Sequence, residues 1–240
     1  MRGGLSIRNL VVRRGGRQVV SGVDLDVPAG EIVALLGANG AGKSSTVLGA
    51  AGLIEEAAGD IALDGRQIGS LPALDRRRAG LAIVAEGHHV LPGLTVRDNV
   101  AAAAFNLGKS EAAIEIERVI ALFPELKDRL SVDAQMLSGG QKQMVNIAQA
   151  LVSRPKFLLV DELSLGLAPA VVNRLGDLLI EIAGKGVGIL LIEQFTTLAL
   201  RLASRAAVLE RGAVVFTGTA QTLAEHPEIL HKAYLTEAGH

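Results

Sequence analysis

A chain of 240 residues, 49% hydrophobic and 20% charged, has the size of one large α/β domain or two small ones, with a sizeable core, and it is not disordered. Lys plus Arg number 24 against 25 Asp plus Glu, a net charge of −1 that argues against a generally basic nucleic-acid binder. There is no Cys, which excludes disulfide scaffolds, thiol catalysis and Cys-ligated zinc, and the lack of Trp with one Tyr and five Phe leaves no base-stacking platform.

In chain order, apolar residues alternate with polar ones at Leu5 and Ile7 and again at Val23, Leu25 and Val27, which predicts half-buried antiparallel strands. Pro28-Ala29-Gly30 makes a turn, and Ile32–Leu36 is a short apolar run suited to a strand buried on both faces. A glycine-rich loop follows, then a helix over Ser44–Leu53. Ile61–Leu63 with Asp64-Gly65 reads as a strand and tight turn, and Leu81–Val84 as another buried strand. The texture then changes. Thr95 can cap a helix through Asn99 and Ala104, Ser110 a second through Ile114 and Val119, and Pro124 breaks or starts a third. The absence of strand signal from about residue 87 to 140 predicts a helical lobe inserted into an α/β core. Met144, Ile147, Ala148 and Leu151 then share one helix face, Phe157–Val160 is a buried strand, and Val171, Leu175, Leu178 and Ile182 share another helix face. Gly188–Ile192 is a further strand, and Ala206–Leu209 with Ala213–Phe216 form a hairpin around Arg211-Gly212. Strands alternating with helices predict a mainly parallel sheet covered on both sides. The longest stretch without a charged residue, Gly212–Ala224, is too short and too rich in Thr to span a bilayer, and MRGGLSIRNL has no apolar signal core. The expectation is a soluble chain that stays where it is made.

Gly37-Ala38-Asn39-Gly40-Ala41-Gly42-Lys43-Ser44 fits G-x-x-x-x-G-K-[ST] between a buried strand and a helix. Glycines let backbone N–H groups converge on phosphate oxygens, and the following helix turns its positive end to the same anion. Lys43 reaches the β- and γ-phosphates, Ser44 offers its hydroxyl to Mg²⁺, and Ser45 belongs to the same phosphate site. Downstream, Phe157–Val160 runs into Asp161-Glu162. In a P-loop protein the Asp holds Mg²⁺ and the Glu orients or deprotonates water.

Leu137-Ser138-Gly139-Gly140-Gln141 lies just before that acidic strand. With the P-loop upstream it resembles the signature of the ABC-transporter ATPases, and the resemblance covers essentially the whole chain. It implies an α/β fold with a P-loop NTPase core, an N-terminal antiparallel subdomain and an inserted helical lobe at about 87–140 of a single 1–240 cassette. Ala85-Glu86-Gly87, Leu94-Thr95-Val96, Ser164-Leu165-Gly166-Leu167-Ala168-Pro169, Ile192-Glu193-Gln194 and Ala233-Tyr234-Leu235 resemble one branch. That branch holds the ATPases of branched-chain amino acid importers and their relatives for urea and short amides. The resemblance implies an ATP- and Mg²⁺-dependent ATPase on the cytoplasmic face of the membrane. It would pair with a second ATPase, identical or different, beneath two permease subunits served by a solute-binding protein. Each ATP would lie between the P-loop of one ATPase and Ser138, Gly139, Gly140 and Gln141 of the other. The alternatives are a non-transport ABC protein acting as a regulatory or assembly switch, and a P-loop nucleotide or sugar kinase.

Several positions depart from the family pattern. Glu86 stands where most members have a Gln contacting Mg²⁺ and the attacking water, and either binds the metal or points away. Gln194 replaces the usual switch His and can hydrogen-bond the γ-phosphate but carries no proton. Leu163 replaces a Pro and Ala168 a dimer-contact Asp. Arg14 takes the place of the aromatic residue that stacks on adenine, and a planar guanidinium can do the same; the alternative is an aliphatic rest for the base. Val90 and Leu91, flanked by Pro92-Gly93, suit a surface loop that docks onto the permease, centred on Gly87–Leu94. His88 and His89 read as surface or partner contacts and Arg76-Arg77-Arg78 as a solvated basic turn.

Overall fold

The computed structural model describes residues 3–87 and 89–235. The chain opens with β1 (Gly4–Arg14) and β2 (Arg17–Pro28), an antiparallel hairpin. Leu5 and Ile7 are buried on one face, and so are Leu10 and Val12. Leu10 lies three positions after Ile7, so a strict two-residue period would turn the second pair outward. A bulge at Arg8–Asn9, with Asn9 at φ 48°, restores the phase. This makes β1 longer than its alternation suggests.

β3 (Ile32–Leu36) leads through the glycine-rich loop into α1 (Lys43–Ala50), followed by β4 (Ala57–Leu63), β5 (Arg66–Gln67), α2 (Ala73–Arg78) and β6 (Leu81–Val84). Next come α3 (Val96–Ala103), α4 (Lys109–Ile120) and 3₁₀ turns at Pro124–Arg129 and Ala134–Met136. The chain continues through α5 (Gly139–Leu151), β7 (Phe157–Asp161), α6 (Pro169–Gly184), β8 (Gly188–Ile192) and α7 (Thr196–Leu202). It closes with β9 (Arg205–Glu210), β10 (Ala213–Thr219), α8 (Ala220–Glu225) and α9 (Pro227–Leu235).

Two sheets result. One is antiparallel, in the order β2-β1-β4-β5; the other runs β10-β9-β3-β8-β7-β6, parallel except for β10. Alternate residues of the parallel strands serve different cores, of which Ala34, Leu36, Ala206 and Val208 build one with Ala199, Leu223 and Leu230, and the two others are larger. Leu159, Leu190 and Leu35 join Val47 of α1 and the inner face of the antiparallel sheet. Leu158, Val160 and Leu191 join Val96 and Val100 of α3, Met144 and Ile147 of α5 and Leu175 of α6. Leu163 is fully buried in this second core, which gives the residue in the usual Pro position an apolar packing role.

Four local expectations need correction. α1 begins at Lys43 and ends at Ala50, leaving Leu53 exposed beyond it. The cap of α4 is Gly108, with Ser110 inside the helix, while Thr95 does cap α3 by accepting from the Asp98 amide. Val90 is partly buried against this second core, so of the two apolar residues in its loop only Leu91 is well exposed. The Arg76–Arg78 run is helical and mostly buried in contacts. Arg76 donates to the carbonyls of Leu71, Gly49, Ala50 and Gly69, and the Gly49 and Ala50 carbonyls lie at the end of α1 that lacks intrahelical partners. Arg77 donates to Ala103 of α3 and Gln149 of α5 and lies over the Phe105 ring. Only Arg78 is spent on a surface pair, with Asp75.

Asn99, fully buried in α3, holds the loop before it. Its Oδ1 accepts from the Leu91 amide at 2.7 Å, and its Nδ2 donates to the carbonyls of Leu91 and Thr95 at 3.0 Å. Gln149 of α5 donates to the same Oδ1.

Candidate functional site

The loop between β3 and α1 turns through left-handed backbone. Gly42 sits at φ 104°, and a Cβ there would come within 2.6 Å of the Val19 carbonyl. The β9–β10 turn supports the loop from behind, with the Gly212 amide donating to the Ala41 carbonyl at 2.8 Å. Lys43 is buried, and its Nζ donates to the carbonyls of Gly37 and Ala38 at 2.7 and 2.8 Å. No side chain caps α1. Its first residues, Lys43, Ser44 and Ser45, line a cleft of about 460 Å³ together with Asn39, Gly40 and Gly42. Gly37, Ala38 and Ala41 form the inner side of the loop, and the two alanines are buried.

The opposite wall comes from strand ends. β7 closes at Asp161, which accepts from the Ser44 hydroxyl at 3.2 Å and is 2% exposed. Burial pushes its carboxyl up to about 6; the Ser44 bond opposes this, the charges of Glu162 and Glu86 add to it and Lys43 lowers it. Glu162 follows at φ 53°, a conformation rare outside glycine, and its amide donates to the Ile192 carbonyl at 3.1 Å. Gln194, just beyond β8, donates through Nε2 to Glu162 Oε1 at 2.6 Å. Glu86, Glu162 and Gln194 all line the cleft. An oxygen-only set of Ser44, Asp161 and Glu86, with Asp161 short of a compensating cation, is the donor chemistry that Mg²⁺ takes.

Three parts of the expected site lie apart. Ser138 caps α5, accepting from the Gln141 amide at 3.3 Å while Gln141 Oε1 accepts from the Ser138 amide at 3.1 Å. None of Ser138–Gln141 lines the cleft of the same chain. Arg14 is exposed beside the hairpin turn, paired across it with Arg17, and is not among the lining residues. His89 is exposed and His88 falls outside the described residues.

The cleft also contains residues that sequence reasoning missed. Val19 lines it from β2. Its neighbour Val20 is buried, and alternation along a strand sends the two to opposite faces, which was the available signal. Behind the wall, Glu193 is buried and accepts from the Ser164 amide at 3.0 Å and the Ser164 hydroxyl at 2.6 Å. Burial raises its pKa, with the Ser164 bonds opposing.

Residues 20–164 match the family model described as "ABC transporter". The chain is 39% identical over 231 residues, 96% of its length and 99% of the relative's, to the high-affinity branched-chain amino acid transport ATP-binding protein BraG of Pseudomonas aeruginosa. It is 32% identical over 238 residues, 97% of each chain, to the lipopolysaccharide export system ATP-binding protein LptB of Escherichia coli. A solved structure described as the ATP binding subunit of an ABC transporter superposes with a TM-score of 0.81 at 30% identity, over 98% of this chain and 97% of that one.

Proposed function

The chain belongs to the ABC transporter family, and from that premise we propose that it is the ATP-hydrolysing subunit of an importer for branched-chain amino acids or a related small polar solute. The observation that carries hydrolysis is the convergence, in one cleft, of the P-loop with the Glu162–Gln194 pair. The amides of the Gly37–Gly42 loop and Lys43 bind the phosphates. Ser44, Asp161 and Glu86 would hold Mg²⁺, which when bound neutralises phosphate charge. Glu162 takes the proton from the attacking water, and Gln194 holds the carboxylate and meets the γ-phosphate. The base lies toward the β1–β2 hairpin, against either Val19 in the cleft or the Arg14 guanidinium beside it.

Because Ser138–Gln141 stand away from their own cleft, a second ATPase subunit, identical or different, supplies them head to tail. Exposed Met136, Leu165 and Phe195 suit that face. Closing on ATP and reopening after hydrolysis would move two permease subunits, and Leu91 lies on the surface they contact. The cassette would occupy residues 1–240 with its lobe at about 87–140. Among the described residues no helix is long and apolar enough to cross a membrane, which suits a peripheral subunit on the inner face. A solute-binding protein would act through the permeases, and nucleic acid has no part.

The relative from the lipopolysaccharide export system supports a second reading, an exporter of a larger amphiphile. The higher identity to BraG favours import. Phosphate release from ATP without any acceptor separates a hydrolase from a kinase. Co-purification with membrane permeases separates a transporter from a soluble switch. A Cys at Leu91 that crosslinks only to the other ATPase would refute the permease contact; the natural chain has no Cys to interfere.

A further inference from the structure

We infer that Glu193 is a positioning residue for hydrolysis: by accepting both hydrogen bonds from Ser164, it ties the turn after β7 to the turn after β8 and so keeps Glu162 facing the phosphate cleft. This role rests on the ATP-hydrolysis reading above.

The two turns meet at successive levels. Asp161 and Ile192 are the last paired residues of β7 and β8. One residue further, the Glu162 amide donates to the Ile192 carbonyl at 3.1 Å. Beyond the strand ends, Glu193 receives the Ser164 amide on Oε1 at 3.0 Å and the Ser164 hydroxyl on Oε2 at 2.6 Å. Gln194 then reaches Glu162 at 2.6 Å. Glu162 is therefore held from both sides, by Ser164 following it and by Gln194 opposite, and Glu193 is covalently next to one and hydrogen-bonded to the other.

Two features make this more than ordinary packing. Glu162 has a left-handed backbone without being glycine, a conformation that persists only where the surroundings impose it. Glu193 is 1% exposed and both its oxygens are used inside the protein. A carboxylate is a costly way to fill a core, and an apolar residue would fill the volume with less desolvation. Here it satisfies the two donors of a turn whose geometry sets the direction of Glu162. Glu193 does not line the cleft, so its effect reaches the reaction only through its neighbours.

The test is steady-state ATP hydrolysis by the purified full chain, with kcat and KM separated and melting temperature recorded alongside. A displaced catalytic group costs up to about a hundredfold in rate. Glu193→Ala should lower kcat by about 10- to 100-fold while KM for ATP stays within about threefold. Glu193→Gln keeps an acceptor for the Ser164 amide and should restore much of the lost rate. Ser164→Ala removes only the hydroxyl and should lower kcat by about three- to tenfold, which keeps the test alive if Glu193→Ala does not fold. Variants that melt earlier yet keep the wild-type kcat, or that lose ATP affinity as much as turnover, overturn the positioning role. A wild type that releases no phosphate from ATP overturns the hydrolysis reading and this role with it; a working wild type with unaffected Glu193 and Ser164 variants overturns this role alone.

Discussion

Gln194 donates its side-chain amide to Glu162 Oε1 at 2.6 Å, joining the ends of two neighbouring parallel strands on one wall of the cleft. An amide donor fixes the carboxylate without competing for its proton. Glu162→Gln should therefore leave ATP affinity within about threefold and lower turnover by about a hundredfold or more, the range of general-base contributions. Gln194→Ala should cost less, about tenfold in kcat. Phosphate release and equilibrium nucleotide binding on the same preparations check both, and near-normal hydrolysis by Glu162→Gln would remove it as the base.

Lys43 bonds to the carbonyls of Gly37 and Ala38, so the side chain proposed to meet phosphate also holds the loop's curvature. Its removal deletes a charge and loosens the amide cradle together. Lys43→Ala should weaken ATP binding by more than about tenfold, or about 1.4 kcal/mol, seen by calorimetry as a change in affinity. Unchanged affinity would count against the phosphate site.

At the hairpin, Val19 lines the cleft while Arg14 stands at the strand end. Neither reads base identity through hydrogen bonds, so ATP and GTP should bind within about tenfold of each other. If the guanidinium stacks on the purine, Arg14→Ala weakens both nucleotides much more than inorganic triphosphate. An equal loss for all three makes Arg14 a charge and leaves the base to Val19.

Burial lifts Asp161 to about 6 from its ordinary 3.8. Between these values the folded chain keeps a proton that the unfolded chain releases, so stability falls as pH rises through the window. In the absence of nucleotide and Mg²⁺, Asp161→Asn should gain on wild type by up to about 3 kcal/mol from about pH 4 to pH 7, or about 6–12 °C in Tm. A Tm difference that stays constant across that range would show that Asp161 does not titrate there.

Arg76 satisfies carbonyls at the end of α1 with a buried guanidinium. Arg76→Ala leaves the Ala50 carbonyl unpaired, while Gly49 keeps the Gly52 amide, and should lower stability by about 3 kcal/mol, read by denaturant unfolding. Arg78→Ala, which removes only an exposed pair, should fall within about 0.5 kcal/mol of wild type.

What could be read from the chain alone follows from sequence separation. The P-loop is contiguous, and its strand–loop–helix setting is visible in Ile32–Leu36 and the residues after Lys43. Asp161 ends one short apolar strand and Gln194 follows another by two residues, so their arrival at one end of the sheet was legible. The Arg76–Arg78 run was misread because a basic triplet looks the same whether it meets water or carbonyls, and the carbonyls of Gln149 lie 72 positions away. The Asn9 bulge was invisible because it exists to correct a phase break. Glu193 and Ser164 are 29 positions apart, and only the register of β7 against β8 brings them together.

The Asn99 knot has a mechanical meaning. A loop fastened to its own helix at Leu91 and Thr95, and through Gln149 to the next helix, cannot absorb a push by bending. It behaves as the arm of a lever whose shaft is α3. Force applied at Leu91 would act on α3 and, through Gln149, on α5, the helix that Ser138 caps. A displacement at the outer rim of the lobe is thus delivered, with little lost to slack, to the end of the helix that would close over a neighbour's phosphates.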